Sequence, residues 1–457
     1  MAKKSQFDYD LIVIGSGASG STAALGAAKA GKKVALCEAG AFGGESPNWG
    51  DMPTKALLHA ALLFDEAKRG SRFGLRSTTL GYNYPAMLQW RDTVTKRTGV
   101  ADNRRYYEKA GIDTFTGVAH FLSPNEISIN RTHITAKNFL IASGSHFAPP
   151  DVYGIETIEY KTPRTLLDTL RPPRSLMIVG SDGTALEYAQ LMATLGTKVY
   201  LCERSARLMP EADSEVGELI ERYLHETKGV SCLTQTQLVS VEKKGLGVRV
   251  TYSRGTTTRS VQVDEILFMT NRVPTTDIGL ENAFVDYTPA GIKVNEFLQT
   301  SAKHIYAAGD VLGGPTHTQA AMMQGRTVTN NILHKAVPAP AVYQVPRVTY
   351  SYPEIASVGL SEDDCIKRDL STNQALVPLA MVSRSNTSDF TDGFVKLISD
   401  KKGVLIGATI VAPHAAEMIH EVSLAIQHGM SASDLARTPH AFLSWSEAIR
   451  VAAAKLS

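Results

Sequence analysis

Leu11-Ile-Val-Ile-Gly15-Ser-Gly-Ala-Ser-Gly20 is a short apolar run that stops at a glycine-rich turn. The stretch after it, Ser21 to Ala30, is rich in small helix-compatible residues, so the reading is strand, turn, helix. Lys33-Val-Ala-Leu-Cys-Glu38 supplies a second apolar strand that ends in an acid 18 residues after Gly20. A G-x-G-x-x-G turn alone is a weak signal. A strand before it, a helix after it and a carboxylate about 20 residues on make it a dinucleotide fingerprint. Gly15, Gly17 and Gly20, with Ala18 opening the helix, let backbone N–H groups approach a pyrophosphate, and Glu38 suits a ribose diol.

The pattern returns 165 residues later. Ser175-Leu-Met-Ile-Val179 leads into Gly180-Ser-Asp-Gly-Thr-Ala185, a helix-compatible stretch to Leu195, and Lys198-Val-Tyr-Leu-Cys-Glu203. Gly15 maps to Gly180, Cys37 to Cys202 and Glu38 to Glu203. Two such modules imply two dinucleotides, the arrangement needed to pass a hydride from one cofactor to another. The second fingerprint glycine is replaced by Asp182, whose carboxylate repels a pyrophosphate. Ala185 is tolerated in the third position, and Gly183 gives the loop room to reroute.

The rest of the composition narrows the class. The chain has 457 residues, enough for about three domains at roughly 150 each. Its 43% apolar and 20% charged residues are ordinary for a globular protein. Lys plus Arg number 47 against 45 for Asp plus Glu, so no overall field favours nucleic acid. The amino-terminal segment has no signal-peptide core, and no run approaches the roughly 18 apolar residues of a membrane span. A soluble cytoplasmic protein without metal, membrane or nucleic-acid partners is expected. Cys37, Cys202, Cys232 and Cys365 are at least 30 residues apart, which excludes C-x-x-C and zinc-finger spacing.

Further motifs carry a family resemblance. Phe42-Gly-Gly-Glu-Ser-Pro-Asn-Trp-Gly-Asp-Met-Pro-Thr-Lys-Ala-Leu57 matches G-G-x-C-x-x-x-G-C-x-P-S-K in frame. Ile141-Ala-Ser-Gly-Ser145 and Asn271-Arg-Val-Pro274 look like crossovers into and out of a second domain. His304-Ile-Tyr-Ala-Ala-Gly-Asp-Val311 looks like a second flavin motif, and Tyr352-Pro-Glu with Val358-Gly-Leu-Ser-Glu362 like the start of a dimerisation domain. The chain thus resembles the flavin-dependent pyridine nucleotide-disulfide oxidoreductases, which include dihydrolipoamide dehydrogenase, mercuric reductase and soluble transhydrogenase. The resemblance implies an α/β fold: an FAD domain from 1–151 and 279–341, an NAD(P) domain over 152–278, and an α+β dimerisation domain over 342–457 that makes a homodimer.

The same resemblance implies an FAD site at Gly15, Gly17, Ala18, Gly20, Glu38, Ala39, Gly44, Glu45, Lys55, Val118, Ala119, Ser143, Gly144, Arg272, Gly309, Asp310 and Thr318. It implies a nicotinamide site at Gly180, Asp182, Gly183, Ala185, Glu187, Glu203 and Asn271. Glu203 favours NADH, while Arg204 and Arg207 leave NADPH as the alternative. Lys55 is placed beside the flavin N5 and Glu187 is its expected partner.

The resemblance breaks at the chemistry. Ser46 and Asp51 stand where the two redox cysteines belong, and Phe442 stands where the general-base histidine belongs, although its acid survives as Glu447. Neither Ser46 nor Asp51 forms a disulfide, and a phenyl ring transfers no proton. Dithiol chemistry is therefore expected to be absent, with electrons passing from NADH through FAD to a small, quinone-like acceptor. His440 is a weak substitute base. Phe442 and Trp445 offer either a stacking surface or dimer packing. Asn48-Trp-Gly50 and Phe442 also resemble the soluble transhydrogenase, and a flavin-binding protein without turnover is the rival of another class.

Overall fold

Leu11, Ile12 and Val13 are fully buried in the computed structural model, which describes residues 6–76, 79–148, 150–270, 272–314, 317–334 and 336–457. They lie on the strand Tyr9–Ile14. Leu11 and Val13 enter one apolar cluster and Ile12 and Ile14 another, because successive residues of a strand face opposite sides of its sheet. Both faces are covered, which is why the run is continuously apolar.

The chain divides into two compact units, the first built from residues 1–56, 88–148 and 271–340. Its sheet runs in the order Asp113–Thr116, Val34–Glu38, Tyr9–Ile14, Thr132–Ile141, Glu126–Ile129, Ala119–Ser123, with Ile305–Ala307 also paired to Thr132–Ile141. The strands around Tyr9–Ile14 are parallel, and Ala119–Ile141 forms an antiparallel meander. Helices Ala18–Lys29 and Thr318–Leu333 pack together so closely that a Cβ on Gly325 would stand 2.3 Å from the Ser19 carbonyl oxygen.

The second unit comprises 57–87, 149–270 and 341–457. It repeats the parallel module in the order Ser231–Leu233, Lys198–Cys202, Ser175–Val179, Glu265–Phe268, beside an antiparallel three-stranded sheet over Thr236–Val263. Its C-terminal part is a five-stranded antiparallel sheet covered by helices Ala415–Gln427 and Glu447–Leu456 over one apolar cluster. There the buried Lys396 ammonium is met by Glu362 at 2.6 Å and Glu215 at 2.9 Å, with Asp213 at 3.7 Å. Burial alone would lower its pKa, and these carboxylates reverse the direction and raise it. The expected α/β class is what the structure shows: two parallel modules of Rossmann type and a C-terminal α+β part that falls in the same compact unit as the second module.

Both module helices begin three residues earlier than the composition suggests, at Ala18 and Gly183. Gly17 and Asp182 serve as their N-caps, so each glycine turn is already the start of its helix.

Candidate functional site

Glu38 ends its strand with its carboxylate held by three donors. Ser16 supplies two, its N–H at 2.8 Å and its Oγ at 2.6 Å, and Gly40 N–H supplies the third at 2.8 Å. Ser16 Oγ also accepts the Gly43 N–H at 2.9 Å, and Asn48 Nδ2 donates to the carbonyls of Phe42 and Gly44. Gly44, at φ +71°, lies so close to Gly17 that a Cβ on it would stand 2.5 Å from Gly17 Cα. Glu45 then opens the short helix Glu45–Asn48, Ala39 is exposed, and Val118 and Ala119 follow Gly117, whose N–H donates to the Glu38 carbonyl.

Gly17 gives its helix no side-chain cap, and a Cβ built on it meets no atom within 4 Å. Gly20 is the opposite: a Cβ there would collide with the Gly15 carbonyl oxygen at 1.9 Å. One glycine leaves room at an uncapped helix amino terminus, and the other lets helix and strand touch. That cradle, beside an accepting carboxylate, fits the pyrophosphate and ribose of FAD.

A second group lies in the same unit. Strand Arg272–Pro274 pairs antiparallel with Ser145–Phe147, which brings the two crossover motifs together. Arg272 reaches Asp310 at 3.0 Å and Ser145 Oγ at 2.8 Å, and Ser145 Oγ donates to Asp310 at 2.9 Å. Ser143 Oγ donates to the Thr275 carbonyl, Thr275 N–H to the Gly144 carbonyl, and Gly309 N–H to Gln324 Oε1. Ser145, Arg272, Pro289, Asp310 and Gly313 line a cavity of about 320 Å³. Asn271 lies outside the described residues.

Ser46 and Asp51 come together directly. Ser46 Oγ donates to Asp51 Oδ2 at 2.8 Å, Thr318 Oγ1 donates to the same oxygen at 2.8 Å, and Lys55 Nζ reaches Oδ1 at 3.2 Å. Burial pushes the Asp51 carboxyl up, but the Lys55 ammonium and the two hydroxyls outweigh it and hold the group below the usual carboxylate range. Asp51 and Lys55 both lie in the first turns of helix Asp51–Arg69, four residues apart and so on one face.

The second glycine turn carries the same acid clamp. Ser181 Oγ donates to Glu203 at 2.6 Å, Ser205 N–H donates to its other oxygen at 2.7 Å, and Ser181 Oγ accepts the Met209 N–H. Asp182 changes the rest: its Oδ1 accepts the Ala185 N–H at 2.8 Å and caps the helix that starts at Gly183. Gly183 approaches Thr349 so closely that a Cβ would stand 2.1 Å from its Oγ1. A nicotinamide dinucleotide fits here in its acid and its glycines, and meets a carboxylate where the first turn is open. Glu187 is buried and accepts the Tyr350 N–H at 2.8 Å. Arg207 bonds Asp363 at 2.9 Å and the carbonyls of Pro210 and Ala212, while Arg204 is exposed. An Arg207 held this way is not turned toward a 2'-phosphate.

Comparison with known proteins decides the lineage. Residues 9–325 match the pyridine nucleotide-disulphide oxidoreductase model, and residues 345–453 match the dimerisation domain of the same proteins. The chain belongs to the pyridine nucleotide-disulphide oxidoreductase family. Within it, a mercuric reductase from Staphylococcus aureus is 33% identical over 98% of this chain and 82% of its own length. A dihydrolipoyl dehydrogenase from Thermus scotoductus is 34% identical over 98% and 97%. The crystal structure of LpdA from Mycobacterium tuberculosis superposes with a TM-score of 0.86 at 27% identity, covering 98% of this chain and 99% of that one. Family members use a flavin and a nicotinamide dinucleotide, and the dimerisation domain makes them homodimers. Among the described residues no helix is long and apolar enough to cross a membrane.

In this member of the family all four cysteines are free. Burial pushes the thiols of Cys37, Cys202 and Cys232 up to about 12, and that of Cys365 upward. None is a thiolate at neutral pH, as a nucleophile for disulfide exchange must be. At the carboxy terminus Phe442 is 74% exposed, and Glu447 opens the last helix. His440 is engaged through both ring nitrogens, Nε2 with Glu421 at 2.6 Å and Nδ1 with the Thr438 carbonyl at 2.8 Å. That geometry leaves no ring nitrogen for a substrate, so His440 is a clamp rather than a substitute base.

Sequence reasoning missed Ser16, Ser181 and the joining role of Ser145. Ser16 and Ser181 carried a signal, since they occupy equivalent positions of the internal repeat.

Proposed function

We propose that this chain is an FAD-dependent NADH oxidoreductase that works without a dithiol, passing electrons through the flavin to a small, planar, quinone-like acceptor. The observation that carries this reading is the Ser46–Asp51–Lys55 group. A hydroxyl-to-carboxylate hydrogen bond stands at the positions the resemblance gives to the redox cysteines, and all the actual thiols are held protonated. Flavin, when bound, takes a pair of electrons from a nicotinamide and releases it to an acceptor.

The chain's own residues bind and orient. Glu38 accepts from a ribose, the N-terminal N–H groups after Gly17 face a pyrophosphate, and Arg272 with Asp310 anchors the polar chain between the rings. Lys55 places a positive charge where electron density builds up during reduction. Glu187 is buried, and the Tyr350 N–H fixes the position of its carboxyl group. Glu203 favours NADH, because an acid that accepts from a ribose diol repels an added phosphate.

Anaerobic titration with NADH tests the reading. The yellow absorption should bleach fully with one NADH per flavin, since no dithiol stores a second electron pair. Flavin that stays oxidised at millimolar NADH sinks the proposal. The Asp182 cap favours one other reading, a flavin-binding protein without nicotinamide turnover, and that outcome would establish it.

A further inference from the structure

The Asp51–Lys55 ion pair presents its two charges unequally. The Asp51 side chain is 46% exposed and that of Lys55 only 26%, so the carboxylate is the outer member. Its protons are also accounted for. Ser46 and Thr318 each have one hydroxyl hydrogen, and both are donated to Asp51 Oδ2. An arriving molecule therefore meets the carboxylate before the ammonium that pairs with it, and neither hydroxyl has a hydrogen left to donate.

We infer that Asp51 is a specificity-determining residue that ranks electron acceptors by charge: planar cations before neutral rings, and neutral rings before anions. This rests on the proposed function, with the acceptor meeting the flavin on the side where the resemblance places the redox cysteines, now Ser46 and Asp51. Proton balance points the same way. An N-alkylated aromatic cation A⁺ needs none: NADH + A⁺ gives NAD⁺ + AH. A quinone needs one: NADH + Q + H⁺ gives NAD⁺ + QH₂, and that proton has to be delivered past the carboxylate, from solvent or from the Lys55 ammonium behind it. The Lys55 ammonium and the two hydroxyls keep Asp51 ionised against the pull of burial, so it does not supply the proton.

The test uses holoenzyme reduced with stoichiometric dithionite, which bypasses NADH, so failure of nicotinamide reduction and failure of this inference are separate results. Reoxidation is followed after anaerobic mixing with N-methylphenazinium, a neutral naphthoquinone or a naphthoquinone sulfonate, at low and high salt. Dividing each wild-type rate by the Asp51→Asn rate cancels the acceptors' own potentials. That quotient should be at least tenfold larger for the cation than for the sulfonate at low salt, and should shrink at high salt as the charge is screened. Asp51→Glu should restore the wild-type order. As a binding readout, N-methylphenazinium should quench the flavin fluorescence of oxidised wild type at lower concentration than that of Asp51→Asn, and the sulfonate should do the reverse. Equal quotients for cation and anion, or quotients indifferent to salt, overturn the inference. If Asp51→Asn does not hold FAD, the wild-type salt series decides: added salt must slow the cation and speed the sulfonate.

Discussion

In the first glycine turn Ser16 Oγ donates to Glu38 at 2.6 Å, and in the second Ser181 Oγ donates to Glu203 at 2.6 Å. A backbone N–H two residues after each acid holds its other oxygen, Gly40 in one turn and Ser205 in the other. The clamps match in these two contacts, and the helix starts do not. Gly17 caps nothing and leaves its helix amino terminus open, whereas Asp182 places an anion on the Ala185 N–H. One residue type decides whether the partial positive charge of a helix end is offered to a ligand or used inside the protein. The first turn is therefore expected to hold its dinucleotide tightly and the second weakly.

The strongest way to break this contrast is to make the first turn like the second. Gly17→Asp is sterically free, since its Cβ meets nothing, so the fold should persist. FAD affinity should fall about a hundredfold or more, because like charges brought together cost several kcal/mol and about 1.4 kcal/mol is a factor of ten. A purified variant as yellow as wild type would show that the open helix end is not what holds FAD.

Lys55→Ala comes next. It should slow flavin reduction by NADH at least tenfold, about 1.4 kcal/mol at the barrier, with FAD content unchanged. An unaltered stopped-flow rate removes Lys55 from the chemistry. The reverse exchange, Asp182→Gly, should tighten NADH roughly fivefold, as expected for about 1 kcal/mol between charges near a wet surface. It should cost only a few tenths of a kcal/mol in stability, the usual penalty for a glycine N-cap. Weaker NADH binding in this variant would reverse the reading of the cap.

The smallest effect is expected where the turns agree. Cys37 and Cys202 occupy equivalent strand ends, and burial pushes both thiols up to about 12. Replacing either by Ser should leave NADH-dependent turnover within about twofold, and neither should be alkylated at pH 8. Because the unfolded thiols ionise near pH 9 and the folded ones near 12, their contribution to stability is present below about pH 9 and lost as pH rises toward 12. Melting temperatures across that range check the sign. Loss of turnover in the variant lacking all four cysteines would reinstate thiol chemistry.

Much of the fold was legible because its signals are local. A four-residue apolar run, a glycine turn and an acid at fixed spacing describe a strand, a helix start and a second strand, whatever the rest of the chain does. The candidate site was legible in its members more than in its contacts. Residue type alone puts an anion at Asp182, but its cap on Ala185 comes from the turn geometry. Arg207 suits a phosphate by residue type, and its engagement by Asp363, 156 residues away, is a contact that no local signal carries. His440 has the residue type of a base, and only the fold engages both of its ring nitrogens.

By itself, then, the sequence determined the module and its repetition at an offset of 165, the family, and the replacement of two cysteines by Ser46 and Asp51. These are statements about spacing and residue type. Only the tertiary structure decided that Ser46 bonds Asp51, that Thr318 joins them from 267 residues away, and that Ser145 and Arg272 converge on Asp310. Which side chain a carboxylate meets depends on how the chain closes on itself, and no periodicity along the chain records that.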